Sequence, residues 1–315
     1  MTRAFIFPGQ GSQAVGMGKA LAEAFAPARE VFQEIDEALK QNLSQLMWEG
    51  PEAELVLTEN AQPAIMAASL AIIRVLEREA KLDLRQHARL VAGHSLGEYS
   101  ALAAAGAFAL ADAARLLKAR GRAMQEAVPV GEGGMSALLG AEIAQAEELA
   151  KQCASATGGV CVVANDNAPG QVVISGSKAA IDKAPDVAKA LGIKRAMALN
   201  VSAPFHSPLM KPAAARMAEE LAKVTVGPPA VPVMANVTAA QVSEPDTIRA
   251  LLVEQITARV RWRESVLAFR SFGIETTVEA GGSKVLTGMV KRIDKELATV
   301  TLDTPADIEA FARTL

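Results

Sequence analysis

Gly93-His94-Ser95-Leu96-Gly97 is the stretch of this chain best suited to chemistry. A serine hydroxyl becomes a nucleophile when a tight turn exposes it and a base removes its proton. Both flanks of Ser95 fit such a turn. Leu90-Val91-Ala92 reads as a short buried strand, and Glu98-Tyr99-Ser100-Ala101-Leu102-Ala103-Ala104-Ala105 opens a helix rich in Ala and Leu. The helix N-terminus then points at the reaction centre, and the two glycines keep Cβ atoms out of a crowded corner. The pentapeptide also fits a plain strand-to-helix turn; the strand before it and the helix after it favour the nucleophile.

A nucleophilic serine needs a base, and the chain offers three histidines. His87 lies in Lys81-Leu82-Asp83-Leu84-Arg85-Gln86-His87, a charged, surface-like segment. His94 adjoins Ser95, but neighbouring side chains on an elbow diverge, so it is expected to pack or hydrogen-bond beside the site. His206 stands in Val201-Ser202-Ala203-Pro204-Phe205-His206-Ser207-Pro208, a loop where a domain cleft is expected. Elimination points to His206, although a lone loop histidine is more often structural. Asp83, Asp112 and Asp246 are open candidates to orient the base, and a backbone carbonyl can do the same. Acyl transfer also needs donors for an oxyanion. Leu96 offers one backbone N–H by elbow geometry. The second must come from another loop; Gly9-Gln10-Gly11 is either that loop or an ordinary Gly-rich strand exit. Arg120, in Lys118-Ala119-Arg120-Gly121-Arg122, reads by itself as part of a solvated helix face.

These residues need a frame. Ala4 to Phe7 reads as the first strand. Helical patterns follow over Lys19–Lys40, Ala61–Glu79 and Tyr99–Ala127, the last with a break at Gly106. This is an α/β pattern with a mostly parallel sheet, and the elbow suggests a hydrolase-like core. The texture changes at Val128-Pro129-Val130-Gly131. Strands at Met135–Leu139, Val160–Ala164, Gln171–Ser175 and Arg195–Leu199 alternate with helices at Ala141–Cys153 and Lys178–Leu191. That β-α-β-β-α-β order is expected to form a small ferredoxin-like subdomain over 129–201, inserted into a large domain of 1–128 and 202–315. The large domain resumes with a helix over Pro208–Ala222 and a strand at Val231–Ala235, then another helix and a strand at Thr276–Glu279. A final helical stretch follows Gly281-Gly282-Ser283.

Composition narrows the function. The chain has 315 residues, half of them hydrophobic, with a formal net charge of −3. That charge gives no whole-molecule attraction to nucleic acid or an anionic membrane. Cys153 and Cys161 are the only cysteines and suit neither a disulfide framework nor a metal site. A reducing cytoplasm is the expected setting. The apolar run at Ala4–Phe7 is too short for a signal peptide, and the uncharged stretch between Glu98 and Asp112 is too short for a membrane span.

Six segments together resemble one family. They are Phe7-Pro8-Gly9-Gln10-Gly11-Ser12-Gln13, Thr58-Glu59-Asn60-Ala61-Gln62-Pro63-Ala64, the elbow through Leu102, Arg120-Gly121-Arg122-Ala123-Met124-Gln125, Val173-Ile174-Ser175-Gly176 and Val285-Leu286-Thr287-Gly288. In this order they resemble the malonyl-CoA:acyl-carrier-protein transacylase family across essentially the whole chain, in its free-standing form. The resemblance implies Ser95 as the nucleophile that carries the malonyl ester, with His206 as its base. It implies an oxyanion hole from the backbone N–H groups of Gln10 and Leu96. Arg120 would bind the free carboxylate of the malonyl unit, and Gln62 and Phe205 would line the substrate. The implied partners are malonyl-CoA and acyl carrier protein, with no metal or bound cofactor, no nucleic acid and no membrane; a monomer is expected. Two positions depart from the family pattern. Arg261 stands before Trp262 where a glutamine is usual, and its carbonyl is expected to orient the histidine. Gly281-Gly282-Ser283 replaces a usual Gly-Pro-Gly. Two rivals remain open, a serine hydrolase with the same elbow and a carrier-binding scaffold with a vestigial site.

Overall fold

Ala4-Phe5-Ile6-Phe7 is buried along its whole length, as an apolar run must be when both faces of its sheet are covered. In the computed structural model, which describes residues 2–201 and 203–315, this run lies inside β1 (Arg3–Phe7), near the middle of a six-stranded sheet. The other strands of the chain are β2 (Leu90–Gly93), β3 (Gly133–Leu139), β4 (Cys161–Ala168), β5 (Gln171–Ser177) and β6 (Arg195–Ala198), followed by β7 (Val233–Ala235), β8 (Ala240–Val242), β9 (Thr276–Ala280) and β10 (Ala298–Leu302). The first sheet has the order β10-β9-β1-β2-β7-β8, parallel except for β8. The second has the order β4-β5-β3-β6 and is antiparallel throughout. It packs its own apolar core, including Leu138, Leu149, Val163, Ile174 and Ile181, apart from the cores of the first sheet.

Several elements differ from the sequence reading. Lys19–Lys40 forms two helices, Lys19–Ala24 and Ala26–Leu39, because Phe25 between them is extended. The stretch after Ser283 is not helical throughout. Helices Val285–Ile293 and Pro305–Ala312 enclose β10, an edge strand whose Thr299, Val300 and Thr301 are β-branched. The three-residue β8 hairpin edge is too short to leave a pattern in the sequence. The break at Gly106 is present, between helices Leu96–Ala104 and Leu110–Glu126, with φ of 76° at the glycine.

Two close approaches position the chemistry. Gly93 ends β2 and Gly97 lies in the first turn of the elbow helix, Leu96–Ala104. A Cβ on Gly93 would fall 1.9 Å from the Gly97 carbonyl carbon, and one on Gly97 would fall 2.2 Å from the Phe7 carbonyl oxygen. Strand, helix and β1 therefore meet backbone to backbone. Likewise, helix Leu110–Glu126 crosses helix Thr58–Glu79 at Gly121, where a Cβ would come within 2.5 Å of Glu59 Cα. That crossing sets Arg120 beside Gln62.

Since the Gly97 contact is with main chain, a methyl there cannot be accommodated by a side-chain rotation. Gly97→Ala is expected to cost about 3 kcal/mol or more, the upper range for overpacking, and to lower the melting temperature by several degrees. Thermal and denaturant melts read this directly; a melt superimposable on wild type would show that β1 and the elbow have slack between them.

Candidate active site

Ser95 sits between β2 and the elbow helix with φ 54° and ψ −111°, a strained backbone for a residue bearing a Cβ. Asn236, just after β7, holds it there. The Ser95 N–H donates to Asn236 Oδ1 at 2.7 Å, and Asn236 Nδ2 donates to the Gly93 carbonyl at 2.7 Å. On the other side, the Ser95 carbonyl accepts from Gln255 Nε2 at 3.0 Å. The turn is pinned at three points, and its hydroxyl stands clear of the sheet.

His206 reaches that hydroxyl. Its Nε2 lies 2.8 Å from Ser95 Oγ, and its Nδ1 lies 2.8 Å from the Gln255 carbonyl oxygen. A carbonyl can only accept, so Nδ1 carries the proton and the Nε2 lone pair faces Oγ. Gln255 is the last residue of helix Pro245–Gln255, so its carbonyl lacks a partner within that helix and is free for this task. Burial, with the Arg120 cation adding to it, pushes the His206 imidazole down to about 3. The ring is neutral near pH 7, as a base must be before it acts. Its own backbone is left-handed, with φ of 55°, in a loop pinned by Ser207 Oγ donating to the Pro204 carbonyl at 2.7 Å.

Arg120 completes the cluster. It is 1 % exposed. Nη1 donates to Gln62 Oε1 at 2.8 Å, and Nη2 donates to Gln255 Oε1 at 2.8 Å and to Ser95 Oγ at 3.0 Å. The guanidinium stacks over the Tyr99 ring at 5.6 Å. All three oxygens belong to neutral groups, and among the described residues Nε has no partner. An incompletely paired buried cation beside a nucleophile is a receptor for an anion.

The remaining sequence candidates fall as follows. Gln10 Nε2 reaches Thr58 Oγ1 at 3.4 Å, and Gly9 lies so close to the elbow that a Cβ there would be 2.7 Å from the His94 carbonyl oxygen. Leu96 is the first residue of the elbow helix, where N–H groups have no intrahelical acceptor. Gln62 is buried against Arg120, with its Nε2 on Met124 Sδ at 3.8 Å. Phe205 is buried next to His206. His94 hydrogen-bonds Asn167 Oδ1 at 2.7 Å and packs on Trp262, and His87 bonds the Asp83 carbonyl at the surface. Asp83 caps helix Leu84–His87, Asp112 pairs with Arg115, and Asp246 is exposed; none of them orients His206.

Arg261 does not have the expected role. Its carbonyl accepts from the Ser265 N–H at 3.0 Å and from Ser265 Oγ at 2.9 Å, inside helix Trp262–Phe269, and so faces away from the imidazole. The orienting carbonyl belongs to Gln255. Sequence reasoning also missed Asn236 and Glu98. Glu98 was legible in principle, as the one charged residue in an otherwise apolar helix start. It is 3 % exposed, and its Oε2 accepts from Gln255 Nε2 at 2.8 Å and from the Asn236 N–H at 3.1 Å. Among the described residues no group of His, Cys, Asp and Glu side chains is arranged to hold a metal.

Comparison with known proteins places the chain in a family. Residues 4–303 match the family model described as the acyl transferase domain. The malonyl CoA-acyl carrier protein transacylase of Bacillus subtilis is 44 % identical over 99 % of this chain and 96 % of its own length. The crystal structure of acyl-carrier-protein-S-malonyltransferase from Bartonella henselae is 51 % identical, covers 100 % of this chain and 99 % of that one, and superposes with a TM-score of 0.97. A malonyl-transacylase solved in complex with its type II PKS acyl-carrier protein is 40 % identical over the full length of both chains, with a TM-score of 0.95. By sequence along nearly its whole length, and by fold, the chain belongs to the acyl transferase family and, within it, to the malonyl CoA-acyl carrier protein transacylases.

Proposed function

We propose that the chain moves malonyl from coenzyme A to the phosphopantetheine thiol of acyl carrier protein through a malonyl ester on Ser95. The observation that carries this reading is the buried Arg120 guanidinium, 3.0 Å from Ser95 Oγ and faced by neutral oxygens. A free carboxylate on the acyl group fits there and a bare methyl does not. A planar guanidinium accepts a carboxylate through two parallel hydrogen bonds, which orients the acyl group as well as holding it.

The steps follow from the geometry. His206 Nε2 takes the Ser95 proton as Oγ attacks the thioester carbonyl. The oxyanion is held by the N–H groups of Leu96 and Gln10. Collapse breaks the C–S bond, and the imidazolium returns its proton to the departing coenzyme A sulfur. The carrier thiol then gives its proton to His206 and attacks the ester, and Ser95 is restored. The residues themselves suffice for this chemistry, so no bound cofactor is invoked. Phe205 and Gln62 shape the acyl pocket. Malonyl transfer of this kind feeds fatty-acid or polyketide synthesis, and a cytoplasmic monomer is the form proposed.

The same reading divides the chain into a hydrolase-like domain of 1–128 and 202–315 and a ferredoxin-like subdomain of 129–201. The strand order β4-β5-β3-β6, with helices Ile143–Thr157 and Lys178–Ala190 between strands, supports the second. The elbow after β2 in a parallel sheet supports the first.

Three outcomes are expected. Brief exposure to malonyl-CoA should add one malonyl mass to the intact chain, and carrier protein bearing its arm should remove it. Ser95→Ala should abolish the adduct; labelling that persists would refute the nucleophile, and steady release of malonate without a thiol acceptor would indicate a hydrolase.

His206→Ala should slow acylation roughly 10²–10⁴-fold, while His87→Ala should be nearly silent. The imidazole signal of His206 in NMR should not titrate between about pH 5 and 8, because the folded pKa lies below the ordinary value. Folding depends on a neutral His206, so its contribution is whole above the unfolded pKa and is lost as pH falls toward the folded one. A titration midpoint near the ordinary histidine value would remove the burial argument.

Arg120→Ala should lower malonyl transfer by roughly 30-fold to several thousand-fold, equivalent to about 2–5 kcal/mol, while sparing acetyl transfer. Arg120→Lys should recover only part of the loss. The ratio of malonyl to acetyl kcat/KM in the three proteins decides it, since an equal fall for both acyl groups would make Arg120 structural.

A further inference from the structure

Few buried side chains in this protein can carry charge near neutral pH. Among the described residues the buried carboxylates are Glu98, Asp166 and Glu279, and the buried strong cation is Arg120. Asp166 pairs with Arg263 at 3.0 Å, and Glu279 accepts the N–H groups of Leu286 and Thr287 at the start of helix Val285–Ile293. That leaves Glu98 and Arg120. They do not touch each other. The Gln255 side-chain amide lies between them, its oxygen on Arg120 Nη2 and its nitrogen on Glu98 Oε2, both at 2.8 Å. One amide thus joins one cation to one anion beneath Ser95.

The walls around this pair add no further buried charge: on helix Leu110–Glu126 the buried residues besides Arg120 are apolar or glycine, and Lys118 pairs with Glu59 at 3.1 Å. The end of β7 contributes Asn236, and helix Pro245–Gln255 contributes Gln255. Helix Thr58–Glu79 turns apolar residues and the neutral Thr58, Asn60, Gln62 and Ser69 inward. The buried residues of β1 and β2 are apolar or glycine. Tyr99, next to Glu98 on its own helix, is pushed up to about 12 by burial and stays protonated. His206, across Ser95, is neutral. Among the described residues Glu98 is therefore the carboxylate placed to balance Arg120.

A dicarboxylic half-thioester brings a second anion to the same cation. We propose that Glu98 is the resident counter-ion of Arg120, that the acyl carboxylate displaces it from this role, and that Glu98 takes one proton from solvent as the carboxylate binds. The inference rests on the reading of Arg120 as the carboxylate receptor. The proton goes to Oε1, because Oε2 already accepts two hydrogen bonds and among the described residues Oε1 accepts none. No bond to carbon forms or breaks, and the net charge of the buried cluster is unchanged: an anion enters and a proton accompanies it. Arg120 cannot serve as the titrating group, since a guanidinium does not release its proton in this range. Burial already raises the Glu98 carboxyl to about 7, so the ion is held near its point of protonation before substrate arrives. Glu98 is thus a specificity-determining residue. It opposes the bound carboxylate when ionised and accepts it when neutral.

The sign is fixed by linkage. Affinity for a ligand carrying the carboxylate should fall as pH rises above the Glu98 pKa of the empty pocket, by up to about tenfold per unit, until the raised pKa of the occupied pocket is passed. A ligand without the carboxylate should show no such fall. The experiment is calorimetric titration of Ser95→Ala with malonyl-CoA and with acetyl-CoA, each near pH 8 in two buffers of different ionisation enthalpy. Malonyl-CoA should bind with uptake of close to one proton more than acetyl-CoA. Glu98→Gln in the same background keeps an acceptor oxygen for Gln255 and Asn236 but cannot titrate, so the excess uptake should vanish. Equal uptake for the two ligands overturns the proposal, and this arm needs no variant at Glu98. Uptake that persists undiminished in Glu98→Gln also overturns it and places the proton on another group, His206 or His94. Malonyl-CoA binding no tighter than acetyl-CoA at any pH would instead refute the Arg120 reading on which the proposal rests.

Discussion

The buried cation at Arg120 is the interaction on which the site is arranged. A guanidinium that is 1 % exposed must be satisfied by fixed partners, because a wrongly placed neighbour in a dry interior costs several kcal/mol. Gln255 supplies most of that order. Its side-chain oxygen faces Arg120, its side-chain nitrogen is claimed by Glu98 and the Ser95 carbonyl, and its main-chain oxygen fixes the His206 tautomer. One residue at a helix end therefore relates the cation, the nucleophile and the base. Displacing that helix end would disturb all three together.

Geometry alone would not keep Ser95 in its strained backbone. The strain persists because the alternatives are blocked by atoms that cannot move independently. Gly93 and Gly97 bring main chain against main chain, and Asn236 bonds to both sides of the turn. His206 is held in a left-handed conformation by its own short loop. Two uncommon backbones thus meet at a distance of 2.8 Å between Oγ and Nε2.

What was legible in the sequence divides along physical lines. The elbow could be read because a nucleophile turn needs local neighbours: a strand, two glycines and a helix within a few residues. The α/β alternation could be read for the same reason. Arg120 and Gln62 could not be joined from periodicity, since their contact comes from a helix crossing at Gly121. Resemblance alone brought them together. Gln255 was missed because its orienting role is a main-chain one, and a carbonyl leaves no side-chain signature. The resemblance assigns the orienting carbonyl to Arg261 by its place before Trp262, but that carbonyl is used inside its own helix. β10 was missed because a short edge strand shows neither a long apolar run nor full alternation. Glu98 was visible as a charge in an apolar setting, yet its partners lie far along the chain, at residues 236 and 255.

The absence of an orienting carboxylate at His206 among the described residues follows from the same electrostatics. A second anion beside the imidazole would lie close to Arg120 and would raise the imidazole pKa. It would also compete with the acyl carboxylate for the one cation. A carbonyl fixes the ring without adding charge, so the imidazole stays neutral and the cation stays available. It stabilises the imidazolium less than a carboxylate would, and Arg120 opposes that charge further. The proton taken from Ser95 is therefore held weakly and is readily returned to a departing sulfur.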